Sequence, residues 1–261
     1  MKLFEYIDNI NNKNEKVLSV FLTAGYPNKE QFEDIALNLL NAGADILEIG
    51  IPFSDPLADG PVIQYSSHIA LQNGVTVKDC IEYVKKIRIK TDKKLIFMSY
   101  LNPIIAYGVE NFIKDSLSAG INGLIIPDLV PEEYVNVLGK NTDSIDIILL
   151  STPNTPAARL IKIDQLSEGF IYFVSVNGTT GVRELNDPNI IIPIEKAYKT
   201  ISKNKMLVGF GVSNKESVKL LTKYCDGVIV GSAIVNKLDK PNGTKEAIEF
   251  VKELKQACFI S

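Results

Sequence analysis

The stretch Lys29-Glu-Gln-Phe-Glu-Asp-Ile-Ala-Leu-Asn-Leu-Leu-Asn41-Ala-Gly-Ala-Asp45-Ile-Leu-Glu-Ile-Gly50 joins two periodicities through a stop signal. Phe32, Ile35, Ala36, Leu39 and Leu40 recur at helical spacing, so 29–41 reads as a helix with one apolar face. Ala42-Gly43 then supplies the glycine that helix ends favour just past the last turn, and a short apolar run follows at 45–50. A helix that returns directly into a buried strand is part of a βαβ unit.

The same grammar recurs along the chain. Ala119-Gly120-Ile121-Asn122 leads into another run, and a Tyr-Cys-Asp-Gly turn ending at Gly227 leads into the last. Short apolar runs lie at 17–23, 45–50, 95–100, 123–127, 146–151, 170–175, 206–211 and 227–231, and helical spacing is also clear at 77–90, 109–119 and 214–224. Eight alternations in 261 residues specify an α/β fold, a (β/α)8 TIM barrel, preceded by a short extra amphipathic helix at 3–10. An open doubly wound sheet is the alternative. No shift of composition marks a boundary, so a single domain over 1–261 is expected.

Composition narrows the function. A net charge of -3 and a pI near 5.4 leave no broad basic surface, which disfavours nucleic acid and anionic membranes as partners. Three scattered cysteines, Cys80, Cys225 and Cys258, fit neither a disulfide framework nor a zinc ribbon. The opening Met-Lys-Leu-Phe-Glu lacks the apolar core of a signal peptide, and no apolar run approaches a membrane span. A cytoplasmic, unprocessed protein is expected.

In a barrel the active site lies where the strands end and in the loops that follow. The block at 47–64, Leu-Glu-Ile-Gly-Ile-Pro-Phe-Ser-Asp-Pro-Leu-Ala-Asp-Gly-Pro-Val-Ile-Gln, places Glu48 inside an apolar strand and Asp55 and Asp59 in a loop stiffened by Pro52, Pro56 and Pro61. An unpaired carboxyl in such a strand has its pKa raised, which suits proton transfer near neutral pH. The plainer reading is an ion pair or a strand end open to water. Asp128, after the fourth run, and Tyr172, in the sixth, are expected at the same mouth.

Glycine-rich segments follow the last three runs: Asn177-Gly-Thr-Thr-Gly181, Gly209-Phe-Gly-Val-Ser213 and Gly231-Ser-Ala-Ile234. Barrels often hold a phosphate between such loops, at the start of a short helix for which Ser232 is a plausible opening. Other chemistries lack their residues. His68 is the one histidine and reads as a surface or packing residue; no cluster has metal-ligand spacing. No lysine ends a strand where a Schiff base would form, and Gly-Phe-Gly lacks the rest of a dinucleotide fingerprint. Carboxylate acid–base catalysis on a phosphorylated small molecule remains.

The 47–64 block, with Phe21-Leu-Thr-Ala-Gly-Tyr-Pro27, Pro127-Asp-Leu129, Gly209-Phe-Gly-Val-Ser213 and Gly231-Ser-Ala-Ile-Val235, closely resembles the tryptophan synthase alpha chain family, nearly end to end. The resemblance implies a lyase that cleaves indole-3-glycerol phosphate to indole and glyceraldehyde 3-phosphate by a retro-aldol reaction without a cofactor. It makes Glu48 the proton-transfer group and Asp59 the partner of the indole N–H, with Tyr172 near the glycerol portion. Gly181, Gly211, Gly231 and Ser232 would hold the phosphate. Phe21, Met98, Tyr100, Ile125, Leu150 and Phe210 would line the indole pocket, although each reads equally well as barrel core. The segment 175–187 matches a lid from which Thr180 reaches Asp59; Gly-Thr-Thr-Gly stands there in place of the common Gly-Val-Thr-Gly. The resemblance also implies a pyridoxal-phosphate-dependent beta chain as partner in an alpha-beta-beta-alpha complex, docked on Asp55, Asn102 and Pro103, with that cofactor in the partner alone. A free-standing lyase that releases indole, or a feeble chain that mainly activates its partner, are the competing implications.

Overall fold

Seven of the eight apolar runs each become one parallel strand and 146–151 becomes two, covered on both faces, as the near-continuous burial of these segments requires. The strands are β1 (Val17–Thr23), β2 (Ile46–Gly50), β3 (Lys94–Met98), β4 (Gly123–Ile125), β5 (Asp146–Ile148), β6 (Leu150–Ser151), β7 (Phe170–Val174), β8 (Lys205–Gly209) and β9 (Gly227–Val230). The structure is a computed structural model that describes residues 1–138, 145–175, 188–209 and 211–260.

The sheet order is β5-β4-β3-β2-β1-β9-β8-β7-β6, and its two ends are consecutive in sequence. β5 pairs with β4 and β6 with β7, while the Tyr172 N–H donates to the Leu149 carbonyl at 3.1 Å. The ring therefore closes through one interrupted strand, giving the expected eight-membered barrel. The interruption has a local cause: the Leu149 N–H is diverted to the Ser167 hydroxyl, 3.1 Å away.

Two apolar clusters divide the strands by alternation. Ile46, Ile96, Ile148 and Ile229 pack inside the barrel, while Leu47, Leu95, Ile147 and Val228 pack outward on the helices. The two-residue period thus persists within sequences that read as uninterrupted apolar runs. Helix α1 (Leu3–Asn11) closes the N-terminal end, with Leu3 and Ile7 fully buried in the inner cluster. A Cβ on Gly123 or Gly169 would come within 2.7 Å of the Leu3 side chain, so these glycines permit the plug to seat.

The outer ring begins with α2 (Lys29–Asn41), whose first turn is capped by the Asn28 side chain accepting from the Gln31 N–H at 3.0 Å. Gly43, at φ +126°, ends it as the sequence implies. Next come α3 (Pro61–Gln72), α4 (Val77–Lys90), α5 (Leu101–Tyr107), α6 (Val109–Ala119), α7 (Tyr134–Leu138), α8 (Ala157–Leu166), α9 (Pro188–Thr200), α10 (Lys215–Leu221), α11 (Ser232–Leu238) and α12 (Gly243–Ala257). Pro61, expected in the loop, instead opens α3 directly after Gly60. Its missing N–H and fixed φ suit the first helical position. The third run likewise stops at Met98, and Tyr100 is the residue on which α5 starts.

Candidate active site

The parallel strands deliver their C-terminal ends to one mouth, and the loop after β2 folds over part of it. Glu48 has the inward parity of Ile46 and sits in register between Phe21 of β1 and Ile96 of β3. It is completely buried. Oε1 accepts a hydrogen bond from the Ser19 hydroxyl at 2.6 Å, and Oε2 has no partner among the described residues. Burial pushes the carboxyl up to about 7, and the Ser19 bond opposes that rise. No ion pair to Glu48 exists among the described residues, so the alternative of a paired strand acid does not hold there.

Asp59 is held by its loop and by the neighbouring strand end. The Gln64 side chain donates to the Asp59 carbonyl at 2.9 Å, and the Tyr100 hydroxyl donates to Oδ2 at 3.1 Å while accepting from the Ala58 N–H at 2.9 Å. The Ser67 hydroxyl ties the same loop to α3 through the Phe53 N–H and carbonyl, at 2.8 and 2.9 Å. Burial raises the Asp59 carboxyl to about 6, partly offset by the Tyr100 bond. Tyr172, in β7, has its phenol pushed far up by burial and then by the charges of Glu48 and Asp59. Its ring lies over Gly209, where a Cβ would stand 2.4 Å from the phenol oxygen.

Asp59 and Tyr172 border a cavity of about 610 Å³, partly open to solvent, whose walls Glu48 does not reach. Phe21, Met98 and Ile229 supply apolar wall, Asp59 and Tyr172 the polar groups, and Gly211, Gly231 and Ser232 the far end. A smaller recess of about 310 Å³ adjoins it, sharing Phe21, Asp59 and Met98 and adding Thr23, Gly50 and Tyr100. Gly50 leaves room for the Phe21 ring, which a Cβ there would meet at 2.5 Å. At the far end α11 begins at Ser232, and Ile234 and Val235 are the first N–H groups to reach the Gly231 carbonyl. The preceding N–H groups are left to bind something else, as at any helix start.

The structure thus brings Phe21, Asp59, Met98, Tyr100, Tyr172, Gly211, Gly231 and Ser232 to the cavity walls. Ile125 and Leu150 instead pack with the inner apolar cluster, and Ile125 is fully buried. Thr180, Gly181 and Phe210, with most of the 175–187 segment, lie outside the described residues. Asp128 does not face the main cavity; its carboxylate accepts from the Leu101 N–H at 2.9 Å and fixes the start of α5. Asp55 and Asn102 are exposed beside Leu57, which is 89% exposed, with Pro103 nearby on α5. His68 is exposed on α3, and all three cysteines are buried and free. Among the described residues no group of three His, Cys, Asp or Glu side chains is placed to hold a metal.

Sequence reading missed Ser19 and Thr23. Both stand at inward positions of β1, where Val17, Ser19, Phe21 and Thr23 share a parity, and polar residues at that parity were the available signal.

The family model for the tryptophan synthase alpha chain matches residues 7–259. The chain belongs to the tryptophan synthase alpha chain family. A tryptophan synthase alpha chain from Thermoanaerobacter sp. (strain X514) is 42% identical over 247 residues, covering 93% of this chain and 92% of its own. A tryptophan synthase structure from M. tuberculosis superposes with a TM-score of 0.89 at 32% identity, covering 99% of this chain and 98% of that one. Tryptophan synthase subunit alpha from Legionella pneumophila gives 0.88 at 31% identity, with 99% and 98% covered.

Proposed function

We propose that Glu48 and Asp59 perform the lyase reaction of this alpha subunit, the retro-aldol cleavage of indole-3-glycerol phosphate to indole and glyceraldehyde 3-phosphate. The observation that carries the assignment of roles is the pair of burial-raised carboxyls at one barrel mouth, one in a strand and one in a loop, beside a cavity with a glycine-lined end.

Cleavage at indole C3 needs a proton on that carbon, which moves positive charge to the ring nitrogen. Glu48, neutral below about 7, donates that proton. Asp59, ionised above about 6, accepts a hydrogen bond from the indole N–H and stabilises the cation. The C3–C3′ bond then breaks as the C3′ hydroxyl becomes an aldehyde. Its proton returns to the Glu48 carboxylate, so the enzyme ends as it began. Tyr172, beside both carboxyls, positions the glycerol portion. Gly181, Gly211, Gly231 and Ser232 receive the phosphate through backbone N–H groups and the hydroxyl. Phe21, Met98 and Tyr100, with Phe210, enclose the indole ring, and Thr180 completes the site from the 175–187 segment.

Glu48 must start protonated and Asp59 ionised. In the substrate-free enzyme kcat/KM is therefore expected to be bell-shaped, with its acid limb near pH 6 and its alkaline limb near pH 7. A steady-state profile of indole release from pH 5 to 9 checks this. A rate that climbs steadily through pH 8 would show that the proton donor is not a carboxyl of this kind.

The exposed face around Asp55, Leu57, Asn102 and Pro103 suits docking of the beta chain, which takes up the indole for tryptophan synthesis in an alpha-beta-beta-alpha complex. In our reading the whole chain 1–261 acts as one domain, uses no cofactor of its own, and works in the cytoplasm. No helix among the described residues is long and apolar enough to cross a membrane.

A further inference from the structure

Glu48 contributes nothing to the walls of either recess at the mouth, although Phe21, Gly50 and Met98 around it do. The strand register explains its withdrawal. Glu48 pairs with Phe21, whereas Ser19 pairs with Ile46 and Ile229, one inward layer nearer the N-terminal end. A bond from the Ser19 hydroxyl to Oε1 at 2.6 Å therefore tips the carboxyl down the barrel, away from the cavity. Ser19 is itself fully buried at an apolar layer. A hydroxyl there is costly unless bonded, and the bond to Glu48 offsets that cost.

We propose that Ser19 is a positioning residue that holds Glu48 below the cavity floor, so that release of the Ser19–Glu48 hydrogen bond precedes proton transfer to substrate. This rests on the reading of Glu48 as the proton-transfer group. Oε2, which has no partner among the described residues, fits a carboxyl waiting for its second contact. The other titratable groups near Glu48 do not compete for the anchoring role. Tyr172 approaches from β7 and Asp59 from the loop after β2, both on the mouth side, while Lys94 on the inner floor is turned to the Met1 carbonyl at 2.8 Å.

The test uses the full chain with indole-3-glycerol phosphate, alone and with a beta chain. Ser19→Ala should raise kcat by about tenfold with KM unchanged, because one hydrogen bond to the protonated carboxyl no longer has to break. Loss of the donor should also move the alkaline limb of the pH profile upward, a change that a merely structural serine would not cause. Ser19→Cys, close in volume and a weak donor, should behave like Ser19→Ala and covers the case in which the alanine variant folds poorly; Ser19→Thr keeps the hydroxyl and should restore wild-type values. A fall in kcat, or an unchanged kcat and pH limb in folded variants, overturns the proposal. Glu48→Gln run in parallel separates the two levels. If that variant still turns over, the reading of Glu48 has failed; if it is inactive and Ser19→Ala matches wild type, only the role of Ser19 has failed.

Discussion

Glu48→Gln is expected to lower kcat for indole release by on the order of 10²–10⁴-fold, the usual contribution of a positioned acid–base group. The substitution preserves length and planarity, and its amide oxygen can still accept from the Ser19 hydroxyl. Only the transferable proton is lost. Stability should not explain the effect. A carboxyl whose native pKa is raised from 4.5 to about 7 contributes most to stability below pH 4.5 and loses that contribution as pH rises through 7. At pH 8 the neutral glutamine therefore removes a buried-charge penalty instead of adding one. Circular dichroism and a urea midpoint at pH 8 should match or exceed wild type while activity is lost. Substantial turnover would contradict the assigned role.

Asp59→Asn should lower kcat by on the order of 10²–10³-fold, the scale seen when one stabilising group is removed from a developing charge. Asparagine keeps the shape and an oxygen for the Tyr100 hydroxyl, so the loop should stay in place. It lacks the negative charge that the indole cation requires. Because that charge matters in the transition state and little in the ground state, KM should stay near wild type. Binding of a non-cleavable indole phosphate analogue by calorimetry, alongside steady-state kinetics, separates the two effects. An unchanged kcat would remove Asp59 from the chemistry.

Much of the barrel was legible because its strands are buried on both faces and helices such as α2 and α6 end on glycines. The 29–50 stretch yields α2, Gly43 and β2 almost residue for residue. The break at Leu149 was invisible, since it arises from Ser167, a residue distant in sequence that captures one backbone N–H. The start of α3 at Pro61 was misread because proline is as much a first-turn residue as a loop stiffener. Within the site, Glu48 stood out as a charge in an apolar run. Ser19 did not, because a lone serine in such a run signals little until the register sets it one layer below Glu48. Asp128 looked like a third mouth carboxylate, yet helix capping takes it out of the main cavity.

The most direct test of the account is product analysis on the purified chain, alone and with a beta chain. Indole-3-glycerol phosphate should yield indole and glyceraldehyde 3-phosphate in equal amounts, with no metal or pyridoxal phosphate added to this chain and with no products from Glu48→Gln. Failure of the wild-type chain to form indole under both conditions, or equal product from Glu48→Gln, would contradict it.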